Sequence, residues 1–218
     1  MQENSPAGGM GVSPMPPNIP QSMGDQGGLE IFMSIVIGIT VGVIVLLILW
    51  IAFMYNSLVR GRNHCRESWS DVDTELKRRY DLIPNLVETV KGYAKYEKDV
   101  LERVTQARSA AVASQGSPAS QAKDENVLVG GLRQMLAVAE KYPDLKASQN
   151  FLKLHVELVN TEDRIQRARR FYNGNVRDYN NRVESVPSNI IASSFHFKTK
   201  EFFEIENVIE RQTPEMKI

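Results

Sequence analysis

From Ile31 to Met54 the chain is almost wholly aliphatic or aromatic. After Tyr55 its apolar residues recur at alternating steps of three and four. No run alternates with period two, so the pattern predicts helix throughout. Leu58, Cys65, Trp69, Val72 and Leu76 form one stripe, with Arg62 inserted in it. Nothing between Met54 and Tyr55 would break a helix, so the first bundle helix is expected to continue the apolar segment. It is expected to end around Tyr80, where Asp81 can cap a second helix and Pro84, having no N–H to lose, can occupy its first turn. That second helix carries Ile83, Leu86, Val90, Tyr93, Val100, Val104, Ala107 and Ala111, and stops at the Ser/Gly/Pro stretch 114–120. A third helix is marked by Leu128, Leu132, Met135, Ala139 and Tyr142, weakened by Gly130 and Gly131 and ended by Pro143. A fourth runs from Phe151 through Leu158, Ile165, Tyr172 and Tyr179 to Val186, before Pro187.

Short connections force antiparallel neighbours, so the expected fold is all-α: one N-terminal transmembrane helix, then an antiparallel up-down four-helix bundle. The third helix, at about 28 Å, is roughly half as long as the fourth, at about 58 Å, so the fourth must overhang, bend or pack on the tail. The expected divisions are a disordered Gly/Pro-rich tail (1–28), a transmembrane helix (31–54), a cytoplasmic bundle (55–186) and a C-terminal tail (187–218) packing on the bundle or near the membrane. The tail's aromatic rings, Phe195, Phe197, Phe202 and Phe203, need burial, either along the bundle or against the bilayer or a partner.

A helix over 31–54 is about 36 Å long, against a hydrocarbon core of about 30 Å, and crosses once with some tilt. Glu3, Asp25 and Glu30 precede it; Arg60, Arg62, Arg66, Lys77, Arg78 and Arg79 follow. Cationic flanks are retained in the cytoplasm, so the N-terminus is expected outside and the bundle inside the cell (inner) membrane. A cleaved signal peptide would need a basic n-region and a small-residue cleavage site, which are missing.

The 26 Lys and Arg balance 26 Asp and Glu, and the pI is about 6.9. There is therefore no global field to attract nucleic acid. One cysteine, Cys65, agrees with a reducing compartment and reads as a core residue. His64, His155 and His196 are scattered, with no i, i+4 pair to ligate zinc. His64 and Cys65 are helical neighbours pointing about 100° apart, which does not make a base and nucleophile. Gly130–Gly131 lacks the lysine and hydroxyl of a P-loop. Arg164, Arg167, Arg169 and Arg170 share their surface with Glu162 and Asp163, and read as a solvated, salt-bridged face.

Two constellations remain. Counted outward from a turn at Asp81, Glu97 on the second helix faces Arg62 or Arg66 on the first, predicting a partly buried ion pair that fixes the hairpin's register. In the apolar segment Ser34, Gly38 and Gly42 fall at steps of four, and small residues on one ridge let two helices approach closely, predicting a self-association face.

The runs YNSLVRGRN (55–63), WSDVDTELKRRYDLIPNLVETVKGYAKYE (69–97), AEKYPDLKASQNFLKL (139–154) and TEDRIQRARRFYNGNVRDYN (161–180) resemble the LemA family of bacterial membrane proteins. The resemblance covers about residues 55–204. It implies a single N-terminal anchor, a helical bundle and no catalytic residues. One branch of the family is associated with building the magnetosome membrane, and the extension ahead of the anchor is compatible with that branch. The expected function is a non-enzymatic membrane-anchored scaffold; the alternatives are magnetosome membrane biogenesis and a non-catalytic anchor or regulatory subunit of a membrane enzyme. No cofactor, metal, nucleic acid or small-molecule substrate is expected. The expected partners are the membrane, a second copy of the chain and an unidentified protein.

Overall fold

The computed structural model describes residues 25–94 and 96–206. The predicted disordered tail therefore lies, but for its last few positions, outside the described residues. The chain divides into two units, Met1–Trp50 and Ile51–Ile218. The elements are α1 (Asp25–Tyr93), α2 (Lys98–Ala113), α3 (Pro118–Glu140), α4 (Pro143–Ala147), α5 (Gln149–Glu184) and α6 (Ser188–Ser194).

In the first unit, every described side chain of residues 28–50 is exposed. They are nearly all apolar, and among the described residues α1 is the one helix long and apolar enough to cross a membrane. Gly38 and Gly42 have open space where a Cβ would stand, and Thr40 turns its hydroxyl inward to donate to Val36 O at 2.8 Å.

The second unit is helical around one core. Val72, Leu76, Ile83, Leu86 and Val90 from α1 meet Leu101, Val104, Ala107 and Ala111 from α2. Leu128, Leu132 and Met135 from α3 and Leu158, Ile165, Tyr172, Val176 and Tyr179 from α5 complete it. Along α1 and α5 the contacts run Ser57 with Arg182, Gly61 with Tyr179, Trp69 with Tyr172 and Arg79 with Glu162. Two glycines mark the closest approaches. A Cβ at Gly61 would lie 3.1 Å from Tyr179 Cδ2, and one at Gly131 3.3 Å from Val104 Cγ2. Gly131 is thus a packing position of α3 rather than a weak point in it.

The first predicted turn is not there. α1 passes through Tyr80, Asp81 and Pro84 without a break, and the chain reverses after Tyr93 instead. A proline inside a helix leaves the carbonyl four residues earlier without its donor. Here that carbonyl belongs to Tyr80, and Arg108 Nε reaches across from α2 to donate to it at 2.6 Å. The proline is accommodated because another helix supplies the missing hydrogen bond. The predicted second helix is consequently two pieces, the end of α1, which stops at Tyr93, and α2, which starts at Lys98.

Other boundaries shift less. α2 stops at Ala113 as expected, but Pro118 to Ser120 already belong to α3, whose Ser117 cap accepts from Ser120 N at 3.4 Å. The link after Pro143 is itself a short helix, α4, which buries Leu145. Val186, assigned to the fourth stripe, lies beyond α5 and is 79% exposed.

The four tail phenylalanines separate. Phe203 is fully buried and Phe197 packs at the core's edge, whereas Phe195 and Phe202 are exposed. Residues 201–206 form an extended strap that buries Phe203 and Ile205 and exposes their neighbours, a period-two pattern where helical spacing was expected throughout. Phe203 meets Trp69 edge-on at 5.1 Å.

Candidate functional site

Among the described residues, titratable side chains converge most tightly inside the core. Arg79 enters from α1, Glu125 from α3 and Glu162 from α5; they are 0%, 0% and 2% exposed. Arg79 Nη1 donates to Glu162 Oε1 at 2.9 Å, Arg79 Nη2 donates to Glu125 Oε2, and the Tyr80 hydroxyl donates to Glu125 Oε1. Burial works against the Arg79 charge, but Glu162 and Glu125 hold its pKa above the ordinary value. Burial likewise pushes the Glu125 carboxyl upward, opposed by Arg79 and the Tyr80 hydroxyl. Tyr80 is raised well above the usual phenol range, by burial and then by Glu125. A two-pronged guanidinium between two carboxylates is the geometry of a charge-assisted tie. Closed to solvent, it joins three helices and presents no reactive group to a substrate.

A second constellation holds the strap. Asn180 Nδ2 donates to Lys200 O at 2.9 Å while its Oδ1 accepts from Lys200 N at 2.8 Å. Asn173 pairs with Phe203 in the same way, at 3.0 and 2.9 Å. On α3, Asn126 donates to Glu204 O at 3.3 Å and accepts from Glu206 N at 2.8 Å. The Tyr172 hydroxyl donates to Glu201 O at 2.9 Å, Arg169 Nη1 donates to Ile205 O, and Arg133 pairs with Glu206 at 2.7 Å. Each asparagine amide thus acts as one rung of a neighbouring strand. The spacings agree: Asn173 and Asn180 are seven residues apart on a helix, about 10.5 Å, and Phe203 and Lys200 are three apart on an extended chain, about 10 Å.

The predicted Glu97 pair does not form. Arg62 and Tyr93 lie on one uninterrupted helix, and Glu97 follows it as the residue before α2. At 1.5 Å per residue, the 31 positions from Arg62 to Tyr93 put about 46 Å of helix between them. The expected register was counted from a turn at Asp81, and moving the turn removes its basis. Arg62 instead stacks over the Phe197 ring at 5.3 Å, its Nε buried without a partner. Arg66 is exposed on α1.

Cys65 is buried, as read, and burial raises its thiol pKa, with Lys200 opposing. His64 sits on the surface 3.5 Å from Glu67, and His155 stacks on Phe151 at 5.9 Å between ring centres. His196 has φ of 57° just after α6, where Phe197 N reaches back to Ala192 O at 2.8 Å, closing the helix with a left-handed cap. Glu162, assigned to a solvated face with Asp163, is instead a core residue. Its signal was present: Glu162 follows Leu158 by four and precedes Ile165 by three, a stripe position, as Arg79 is between Leu76 and Ile83.

The LemA family model matches residues 68–218. The chain belongs to the LemA family. It is 26% identical over 156 residues to Protein LemA of Metamycoplasma hominis, covering 70% of each chain. It is 25% identical over 175 residues to Magnetosome protein MamQ 2 of Paramagnetospirillum magneticum, covering 69% of this chain and 64% of that one. With Magnetosome protein MamQ of Magnetospirillum gryphiswaldense it shares 23% over 196 residues, covering 78% and 72%. The chain thus spans a little under two thirds of the length of MamQ 2. The stretch that matches the LemA model contains Arg79, Glu125 and Glu162, and all three strap asparagines, Asn126, Asn173 and Asn180. The apolar segment and Arg62 precede it.

Proposed function

We propose that this LemA-family chain is a non-enzymatic, membrane-anchored scaffold whose helical domain is an antiparallel four-helix bundle that organises a membrane-associated complex. The carrying observation is how the chain uses its side chains: residues 31–50 are exposed and apolar apart from Ser34, Thr40 and two glycines, while the buried charges of the second unit, Arg79, Glu125 and Glu162, are engaged with one another. The first feature suits a bilayer and the second suits rigidity rather than chemistry. Rising numbers on α1 meeting falling numbers on α5, from Ser57 with Arg182 to Arg79 with Glu162, support the antiparallel arrangement. The basic flank after the segment supports a cytoplasmic bundle, and protease added to intact cells is then expected to spare it.

The test is in-cell crosslinking of the tagged full-length chain, with mass spectrometry of what it holds. Self-crosslinks or membrane-shaping proteins are expected; one stoichiometric enzyme partner would instead make the chain an anchor or regulator of that enzyme. Self-association is assigned to the Ser34, Gly38 and Gly42 face, so replacing both glycines by Ile is expected to abolish crosslinks between anchors. Their persistence would remove this face from the account.

The likeness to MamQ proteins favours a second reading, a part in the magnetosome membrane. Restoration of magnetosome formation in a strain lacking MamQ would support it, and failure of a well-expressed chain to do so would remove it.

A further inference from the structure

We propose that α6 and its flanking turns, residues 186–195, lie in the headgroup region of the bilayer as a second membrane contact. The proposal rests on the anchored reading above. α6 buries one apolar side and exposes Ile190 on the other, beside Ser193 and Ser194. Ile191 and Ala192 are buried against Leu58 of α1, with Ile51 and Met54 packed at the edge. Away from that contact Ile190 is 60% exposed, and the flanking Val186 and Phe195 are 79% and 52% exposed. Phe195 sets its ring edge-on to Tyr55 at 4.9 Å, and Tyr55 is also met by Phe197 at 5.6 Å. Burying α6's inner side therefore fixes its outer side beside residues 51–58.

Those residues follow directly, in sequence, on the exposed apolar stretch 31–50, whose 20 residues make about 30 Å of helix, one hydrocarbon thickness. A bilayer that takes up this stretch has its interface at residues 51–55, where Phe53 is 63% and Tyr55 36% exposed. Amphipathic aromatic rings favour that depth. Charge agrees. No acidic side chain occurs between Glu30 and Glu67, nor between Glu184 and Glu201, and the basic side chains Arg60, Lys198 and Lys200 are exposed. Exposed apolar groups followed closely by lysines, with no acid from 185 to 200, are the composition of a segment that rests on anionic lipid.

The experiment uses the full chain in nanodiscs of phosphatidylcholine and phosphatidylglycerol. Cys65→Ala supplies the background, and one spin label is placed by Val43→Cys, Val127→Cys, Ile190→Cys or Phe195→Cys. Relaxation by oxygen is compared with relaxation by a water-soluble nickel chelate. Val43, in the apolar stretch, and Val127, exposed on α3, serve as lipid and water standards. Labels at Ile190 and Phe195 are expected to fall between the two standards, favouring oxygen less than Val43 does and clearly more than Val127, which favours nickel. If Ile190 and Phe195 behave like Val127 while Val43 favours oxygen, the anchor stands and the α6 contact is overturned. Labels at Ile190 and Phe195 shielded from both reagents would mean that protein covers α6, which also overturns it. A Val43 label that favours nickel would instead remove the anchored reading itself.

Discussion

Arg79 is held by two carboxylates from helices far apart in sequence, so deleting its guanidinium leaves Glu125 and Glu162 without a cation in an apolar core. Arg79→Ala is expected to lower the unfolding free energy by about 3 to 5 kcal/mol, measured by denaturant titration, because the loss strands buried charge. Arg79→Lys should recover only part of this, since one ammonium cannot reproduce the two-pronged contact. The positions of these charges were legible and their role was not. Arg79 was counted among the cations that orient the anchor, and Glu162 among a surface array. A charged residue on a stripe can point along the surface or inward, and only the arrival of its partner from another helix decides which. The core positions of Cys65, Leu76, Val104, Leu132 and Tyr179, by contrast, followed from spacing alone.

For whole elements, Pro84 was the misleading residue. Proline near a possible cap is a good sign of a helix start, and the sequence near Asp81 offered both. What reversed the outcome was Arg108, 28 positions from the Tyr80 carbonyl it satisfies, a contact that no local pattern carries. Arg108→Ala is expected to cost about 1 to 3 kcal/mol by leaving that carbonyl unpaired. In a Pro84→Leu background, where residue 84 supplies its own N–H, the same change should cost clearly less; equal costs in the two backgrounds would dissociate Arg108 from the proline. The strap was missed for a similar reason, since its alternation is short and its partners are asparagine side chains on helices. Asn173→Ala together with Asn180→Ala should speed amide hydrogen exchange at Lys200 and Phe203, with little change at Val104 or Leu132. Unaltered exchange would mean that Phe203 and Ile205 hold the strap without them. Because seven helical residues match three extended ones, a single-residue insertion between Lys200 and Phe203 cannot satisfy both asparagines. It also turns either Lys200 or Phe203 to the wrong face.

At the scale of the molecule, the tightest response to pH is expected on the alkaline side. Burial, reinforced by Cys65 and Glu201, raises the Tyr172 hydroxyl from 10.0 to about 12, and Tyr80 is raised further. A phenol whose folded pKa exceeds its unfolded value favours the neutral, folded form, so its stabilising effect is complete below pH 10 and is lost as pH climbs toward 12. The thermal midpoint should fall through that window, and Tyr172→Phe should flatten the fall. The all-helical class, the long apolar N-terminal helix and the family were readable from periodicity and ordered sequence blocks. The chain reversal, the strap and the charged tie were not, because each depends on groups 20 or more residues apart. The tie also bears on how the domain comes apart. α1 with α3, α1 with α5, or α3 with α5 alone would each bury an ionised group with part of its partnership missing, so no two-helix subset is a comfortable resting state. Unfolding of this core should therefore be cooperative, with a half-assembled domain penalised by the same guanidinium that secures the complete one.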